Sequence, residues 1–116
     1  RLRERSMGVY QGLSIDALRR DGRMSALLGW QGSPTGGESL SALATRCLSA
    51  VSEIDASEPV LIFAHGGVIR VLTGMLDGLT TEQIASRRIE NAVPMAREVD
   101  EGVWSACSAR YLVAQN

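Results

Sequence analysis

The stretch Val60–Arg70 reads V-L-I-F-A-H-G-G-V-I-R, and its reading decides the fold class. A short apolar run, Val60–Ala64, follows Pro59 and ends at His65, the single histidine of the chain. Gly66 and Gly67 come next, and then Val68, Ile69, Leu72, Met75 and Leu76 recur at helical spacing. The pattern predicts a buried strand, a tight turn and a helix over Val68–Leu76. In open α/β sheets, ligands gather at the carboxyl ends of the strands, where His65 falls. The backbone N–H groups that open the next helix form a natural anion site. An imidazole beside such a turn points to phosphoryl chemistry. A lone histidine at a strand end also serves as a plain hydrogen-bonded residue, and local pattern leaves both readings open.

Working outward, Glu38–Ile54 is predicted to be a helix. Leu40, Leu43, Cys47, Leu48, Val51 and Ile54 line one face, and Ser39 after Gly36 and Gly37 is its N-cap. Gly29–Gly37 (G-W-Q-G-S-P-T-G-G) reads as a loop, either a site rim or a connector. Leu13–Leu28 reads as a helix with Ser14 and Asp16 near its start and an interruption at Gly22. On the other side, Thr80 or Thr81 caps a short helix through Ile84. Asn91–Leu112 reads as a hairpin with its turn at Asp100–Gly102. Helix, helix, strand, helix, strand, strand is an α/β order within one domain, residues 1–116. Only one strand reads as fully buried, whereas a sheet covered on both faces needs several. The chain is therefore expected to be the C-terminal part of a larger domain.

Composition narrows the function classes. The 116 residues are 45% hydrophobic and 22% charged, ordinary for a globular protein, and the formal net charge of -1 offers no basic surface for nucleic acid or anionic lipid. No apolar run approaches the roughly 20 residues that span a bilayer. Neither nucleic acid nor membrane is expected as a partner. Cys47 and Cys107 lack metal-ligand spacing and read as buried thiols, which fits a reducing cytoplasm. With one histidine and no Cys-x-x-Cys, no metal and no cofactor are expected.

Four segments together resemble one family. Arg1–Ser14, R-L-R-E-R-S-M-G-V-Y-Q-G-L-S, resembles the L-x-E-R-x-x-G-x-x-x-G-L segment of the histidine phosphatase superfamily, the phosphoglycerate-mutase-like proteins. G-G-E-S-L at Gly36–Leu40 resembles its P-x-G-E-S helix start, and F-A-H-G-G-V-I-R at Phe63–Arg70 its second-histidine motif. E-N-A-V at Glu90–Val93 resembles its late N-x-x-V element. The order is the family's, and the resemblance covers essentially the whole chain.

The resemblance implies a three-layer α/β/α fold, incomplete in this chain. It also implies a reaction in which a histidine attacks a phosphoryl group, becomes phosphohistidine, and passes the phosphoryl on. His65 matches the second histidine, which donates a hydrogen bond to the phosphoryl oxygens. Glu4 matches the general acid; by residue pattern alone, a glutamate between two arginines reads equally as a solvated ion pair. The Gly66 N–H is expected to contact phosphate. Arg5 and Arg46 stand open between substrate contact and surface role, and Arg70, one helical turn on, reads as structural.

The chain departs from the family pattern in lacking the Arg-His-Gly motif of the attacking histidine, and the second phosphate-binding arginine is absent too. Nucleophile and arginine clamp are expected in an upstream segment. The expected partners are that missing N-terminal segment, or a second copy of the chain, besides a small phosphorylated substrate. Met7 and Ile15 stand where the mutases carry Tyr and Lys, the Gly29–Gly37 loop is short, and H-G-G-V replaces H-G-N-S. These features favour a small-molecule phosphomonoesterase. The alternatives are a phosphoglycerate mutase and a catalytically inactive fragment that binds a phosphorylated ligand or a protein partner.

Overall fold

A computed structural model describes residues 1–55 and 57–112. Five α-helices succeed one another: α1 Ile15–Arg20, α2 Leu40–Val51, α3 Gly66–Leu76, α4 Thr81–Ser86 and α5 Val103–Tyr111. Single 3-10 turns lie at Gly8–Tyr10 and Met24–Leu27. No helix among the described residues is long and apolar enough to cross a membrane.

The centre is the α2–α3 pair. Leu40, Leu43, Ala44, Cys47, Leu48 and Val51 recur at alternating three- and one-residue steps, so one stripe of α2 is buried throughout. It packs against Val68, Val71, Leu72 and Met75 of α3. Each such side chain, fully buried, contributes about 1.5–3 kcal/mol. Ser39 caps α2 as predicted, its hydroxyl accepting from the Ala42 N–H at 3.0 Å. α3 begins two residues earlier than the apolar pattern suggested, with His65 in the N-cap position. Thr80, not Thr81, caps α4 through a reciprocal box with Gln83. Cys47 and Cys107 are buried free thiols. Burial pushes both up from the ordinary thiol value.

Leu13–Leu28 is not one helix. Ser14 caps α1, its hydroxyl accepting from Ala17 N–H at 3.1 Å, but the chain turns at Asp21–Gly22, where Gly22 has φ +67°. The interruption read at Gly22 is the end of the helix, because that left-handed turn suits glycine.

Two larger expectations are corrected. Val60–Ala64 pairs with no strand among the described residues, and Leu61 and Phe63 are 78% and 89% exposed rather than buried. A strand exists only through its neighbours, and no ladder partner lies among the described residues. Asn91–Leu112 is not a hairpin either. The turn at Asp100–Gly102 forms, with Val103 N–H donating to Asp100 O at 3.1 Å, but α5 follows it. Trp104, Cys107 and Tyr111 lie three and four residues apart, and tertiary contact selects that helical stripe over the alternating reading. Tyr111 packs its ring 6.3 Å from that of the buried Trp30, and its hydroxyl donates to Leu79 O at 2.7 Å. The regular elements of the described residues are thus all helices, and the expected α/β/α layering is not found among them.

Candidate active site

Arg1–Ser6 has no regular structure and is held across α2 by its backbone. Arg46 of α2 makes this possible. Its Nη1 donates to Arg1 O at 2.6 Å and to Arg3 O at 3.0 Å. Its Nε and Nη2 donate to the two Glu38 carboxylate oxygens, each at 3.0 Å. Glu38 then accepts the Ser6 N–H at 3.1 Å, and its own N–H donates to Ser6 O at 2.9 Å. Burial disfavours the Glu38 charge, but the Arg46 and Ser6 hydrogen bonds outweigh it and hold the carboxyl below its usual range. Arg5 Nε donates to Glu38 O at 2.6 Å and Nη2 to Gly32 O at 2.7 Å. Burial, and then the positive charge of Arg70, push the Arg5 guanidinium down against the pull of Glu38 and Glu4.

This scaffold delivers Glu4 to the start of α3. Glu4 Oε2 accepts the Gly67 N–H at 3.1 Å, and Oε1 accepts the Arg5 N–H at 2.8 Å. Glu4 thus meets the N–H groups that open α3, which have no partner within the helix. Gly67 is required for the approach, since a Cβ at that position would overlap Glu4 Oε1. Around Gly66 there is open space, and its N–H donates to no acceptor among the described residues. His65, one residue before, is exposed, and its side chain makes no capping bond.

Glu4, His65 and Gly66, spread over 62 positions of sequence (from 4 to 66), therefore meet at one helix end. Arg5 and Arg46 stand behind them, their hydrogen bonds directed to backbone carbonyls and Glu38. Arg70 ties α3 to α4 through Ala85 O at 3.2 Å, while its Nε is buried without a partner among the described residues. Sequence reasoning missed the Arg46–Glu38 staple and the seat of Glu4 on Gly67. An eight-residue separation falls outside the one-turn pairs a helix pattern reveals, and the Glu4–Gly67 contact spans 63 positions.

Residues 1–109 match the histidine phosphatase superfamily (branch 1). The chain belongs to this superfamily. A 2,3-bisphosphoglycerate-dependent phosphoglycerate mutase of Methylorubrum extorquens (strain PA1) is 36% identical over 103 residues, covering 81% of this chain and 49% of the relative. A phosphoglycerate mutase of Schizosaccharomyces pombe is 36% identical over 110 residues, covering 87% and 52%. A solved mycobacterial glucosyl-3-phosphoglycerate phosphatase in complex with inorganic phosphate superposes with a TM-score of 0.61 at 31% identity, over 73% of this chain and 48% of that one. The chain thus spans about half the length of the curated relatives it matches.

Proposed function

We propose that this histidine phosphatase chain carries the proton-donor half of a phosphomonoesterase acting on a small phosphorylated metabolite. The observation that carries the reading is the Glu4 carboxyl held on the Gly67 N–H beside His65. Glu4, in its protonated form, gives its proton to the leaving alkoxide oxygen as the P–O ester bond breaks and the phosphoryl group passes to the attacking imidazole. His65 and the Gly66 N–H donate hydrogen bonds to the equatorial phosphoryl oxygens, where negative charge is spread in the transition state. Arg5 and Arg46 hold the acid in place through the backbone on either side of it. The attacking imidazole and the arginine clamp have no matching motif in this sequence, and the strands of a three-layer α/β/α domain are not found among the described residues. They come from the rest of a family domain, and Val60–Ala64 is the edge to which that part adds a strand. Buried free thiols accord with a reducing cytoplasm.

The names of the curated relatives favour a second reading, transfer between phosphoglycerates. Met7, Ile15 and H-G-G-V favour hydrolysis. The test incubates the protein with an aryl phosphate, and separately with 3-phosphoglycerate plus 2,3-bisphosphoglycerate, beside His65→Ala and Glu4→Gln variants. Release of phosphate that both variants abolish supports the phosphatase. Isomerisation exceeding release means the mutase. Hydrolysis that survives His65→Ala overturns the site. Phosphate-ester binding without turnover, lost in His65→Ala, means an inactive ligand-binding fragment.

A further inference from the structure

Val60–Ala64 carries no charge and no glycine, and no turn, bend or helix interrupts it. Its exposure alternates, at 50, 78, 38 and 89% from Val60 to Phe63, and Ala64 packs against the core. That is the alternation of a strand with one face toward the protein and with Leu61 and Phe63 on the other. None of its N–H or C=O groups hydrogen-bonds to another described residue. An uncharged apolar edge in that condition is a template for pairing with another chain. Pro59, which has no N–H, bounds it on one side, and His65 at the N-cap of α3 bounds it on the other. The segment is also its own complement. In an antiparallel pair centred on Ile62, Leu61 of each copy lies opposite Phe63 of the other, Val60 lies opposite Ala64, and Ile62 lies opposite itself. The two most exposed side chains of the segment thus meet on one face, with Cβ atoms about 4.5–5.5 Å apart. Charge agrees with this register. Continued by two residues, it brings Glu58 opposite Gly66 of the other copy. Glu58 is exposed and makes no hydrogen bond or ion pair among the described residues. The Gly66 N–H has no acceptor among them, and His65 is exposed beside it.

We infer that the chain pairs with a second copy of itself through an antiparallel ladder over Val60–Ala64, centred on Ile62, and that each copy's Glu58 then reaches the start of α3 in the other. The pairing stands on the segment alone. Its consequence for the site rests on the phosphate-site reading above. Glu58 takes the Gly66 N–H and faces His65, the donors assigned to the phosphoryl oxygens, so the paired chain is closed to phosphate. Where the rest of a family domain is present, it fills this edge and displaces the second copy. A five-residue ladder falls among small interfaces, below about 1,200 Å² of buried surface, which belong to transient complexes. Association is accordingly weak, with a dissociation constant on the order of 100 µM. The chain is then a monomer in dilute solution and a dimer in concentrated solution.

Sedimentation equilibrium on the chain, from about 5 µM to about 1 mM, tests the pairing. The average mass should rise from that of one chain toward that of two. Leu61→Lys with Phe63→Lys should hold it at one chain throughout, with far-UV circular dichroism unchanged, because both side chains are exposed. Glu58→Gln should weaken association about fivefold, since two exposed contacts are lost per dimer. Nitroxide labels read the register, and the buried Cys47 and Cys107 do not compete for them. Labels on Ile62→Cys should broaden each other strongly in the dimer. Labels on Val60→Cys should do so far less, because two residues off centre separates the copies by about 14 Å along the strands. A single-chain mass at every concentration overturns the inference. So does a dimer that the two lysines leave intact, an association indifferent to Glu58→Gln, or labels closer at position 60 than at 62. Inorganic phosphate, added at constant ionic strength, should return the dimer to monomer. A dimer that follows every variant yet ignores phosphate removes the phosphate-site reading and leaves the pairing standing.

Discussion

Replacing Gly67 by alanine puts a methyl group where the Glu4 carboxylate now lies, since the new Cβ would overlap Oε1 and come within 3.3 Å of Leu43 Cδ2. Leucine can shift by a few tenths of an ångström, whereas the carboxylate must leave the helix end. The hydrogen bond lost, to a charged acceptor, is worth about 1.5–3 kcal/mol. Alanine returns about 0.5–1 kcal/mol through its higher helix propensity. Gly67→Ala should therefore destabilise the fold by about 1–2 kcal/mol. Gly66→Ala, one residue away with open space around it, should stabilise by up to about 1 kcal/mol. Urea denaturation followed by far-UV circular dichroism measures both, and a Glu4→Ala background completes the cycle. In that background Gly67→Ala should lose its cost and behave like Gly66→Ala. If the two substitutions change stability alike in the wild type, or the cost of Gly67→Ala persists without Glu4, the acid is not seated on α3 and the proton-donor geometry falls.

Three other outcomes are expected. Arg46→Ala should cost about 2–3 kcal/mol, because the part-buried Glu38 carboxylate and three backbone carbonyls lose their donor. Glu38 has a lowered native pKa, so its contribution is fully present above the ordinary value near 4.5 and is lost as pH falls through the native one. Acid titrations of stability should accordingly be shallower in Arg46→Ala than in the wild type. Thr80→Ala should cost about 1 kcal/mol by removing the box that opens α4, readable as a drop of about 4–8 °C in melting temperature. Leu61→Ser with Phe63→Ser should change stability by less than about 0.5 kcal/mol each, since both side chains are exposed. A loss above about 2 kcal/mol would mean that something covers this segment in solution.

Much of the helical framework was legible from residue order. The stripe Leu40–Val51 and the cap at Ser39 rest on interactions within four residues, which a linear pattern encodes directly, and the same range placed Ser14 near the start of α1, an interruption at Gly22 and a cap at Thr80 or Thr81. The motif that holds His65 was legible for the same reason, with α3 starting at Gly66 rather than Val68. The hairpin reading of Asn91–Leu112 failed because Trp104, Cys107 and Tyr111 satisfy a helical stripe as well as their neighbours satisfy alternation. Only the presence of α2 and α3, with Trp30 near Tyr111, decides between the two.

By itself, the sequence determined the superfamily, the helical pair α2–α3 and the candidate acid and histidine, because motifs and periodicity are properties of the chain alone. Tertiary structure decided where Glu4 points, which arginines are committed to the backbone, and that Val60–Ala64 stands without a ladder among the described residues. The physical reason is one of range. Helices close their hydrogen bonds within the segment, so their pattern is local. A strand, a staple such as Arg46–Glu38, or a carboxylate on a distant helix end each needs a partner brought near by the fold.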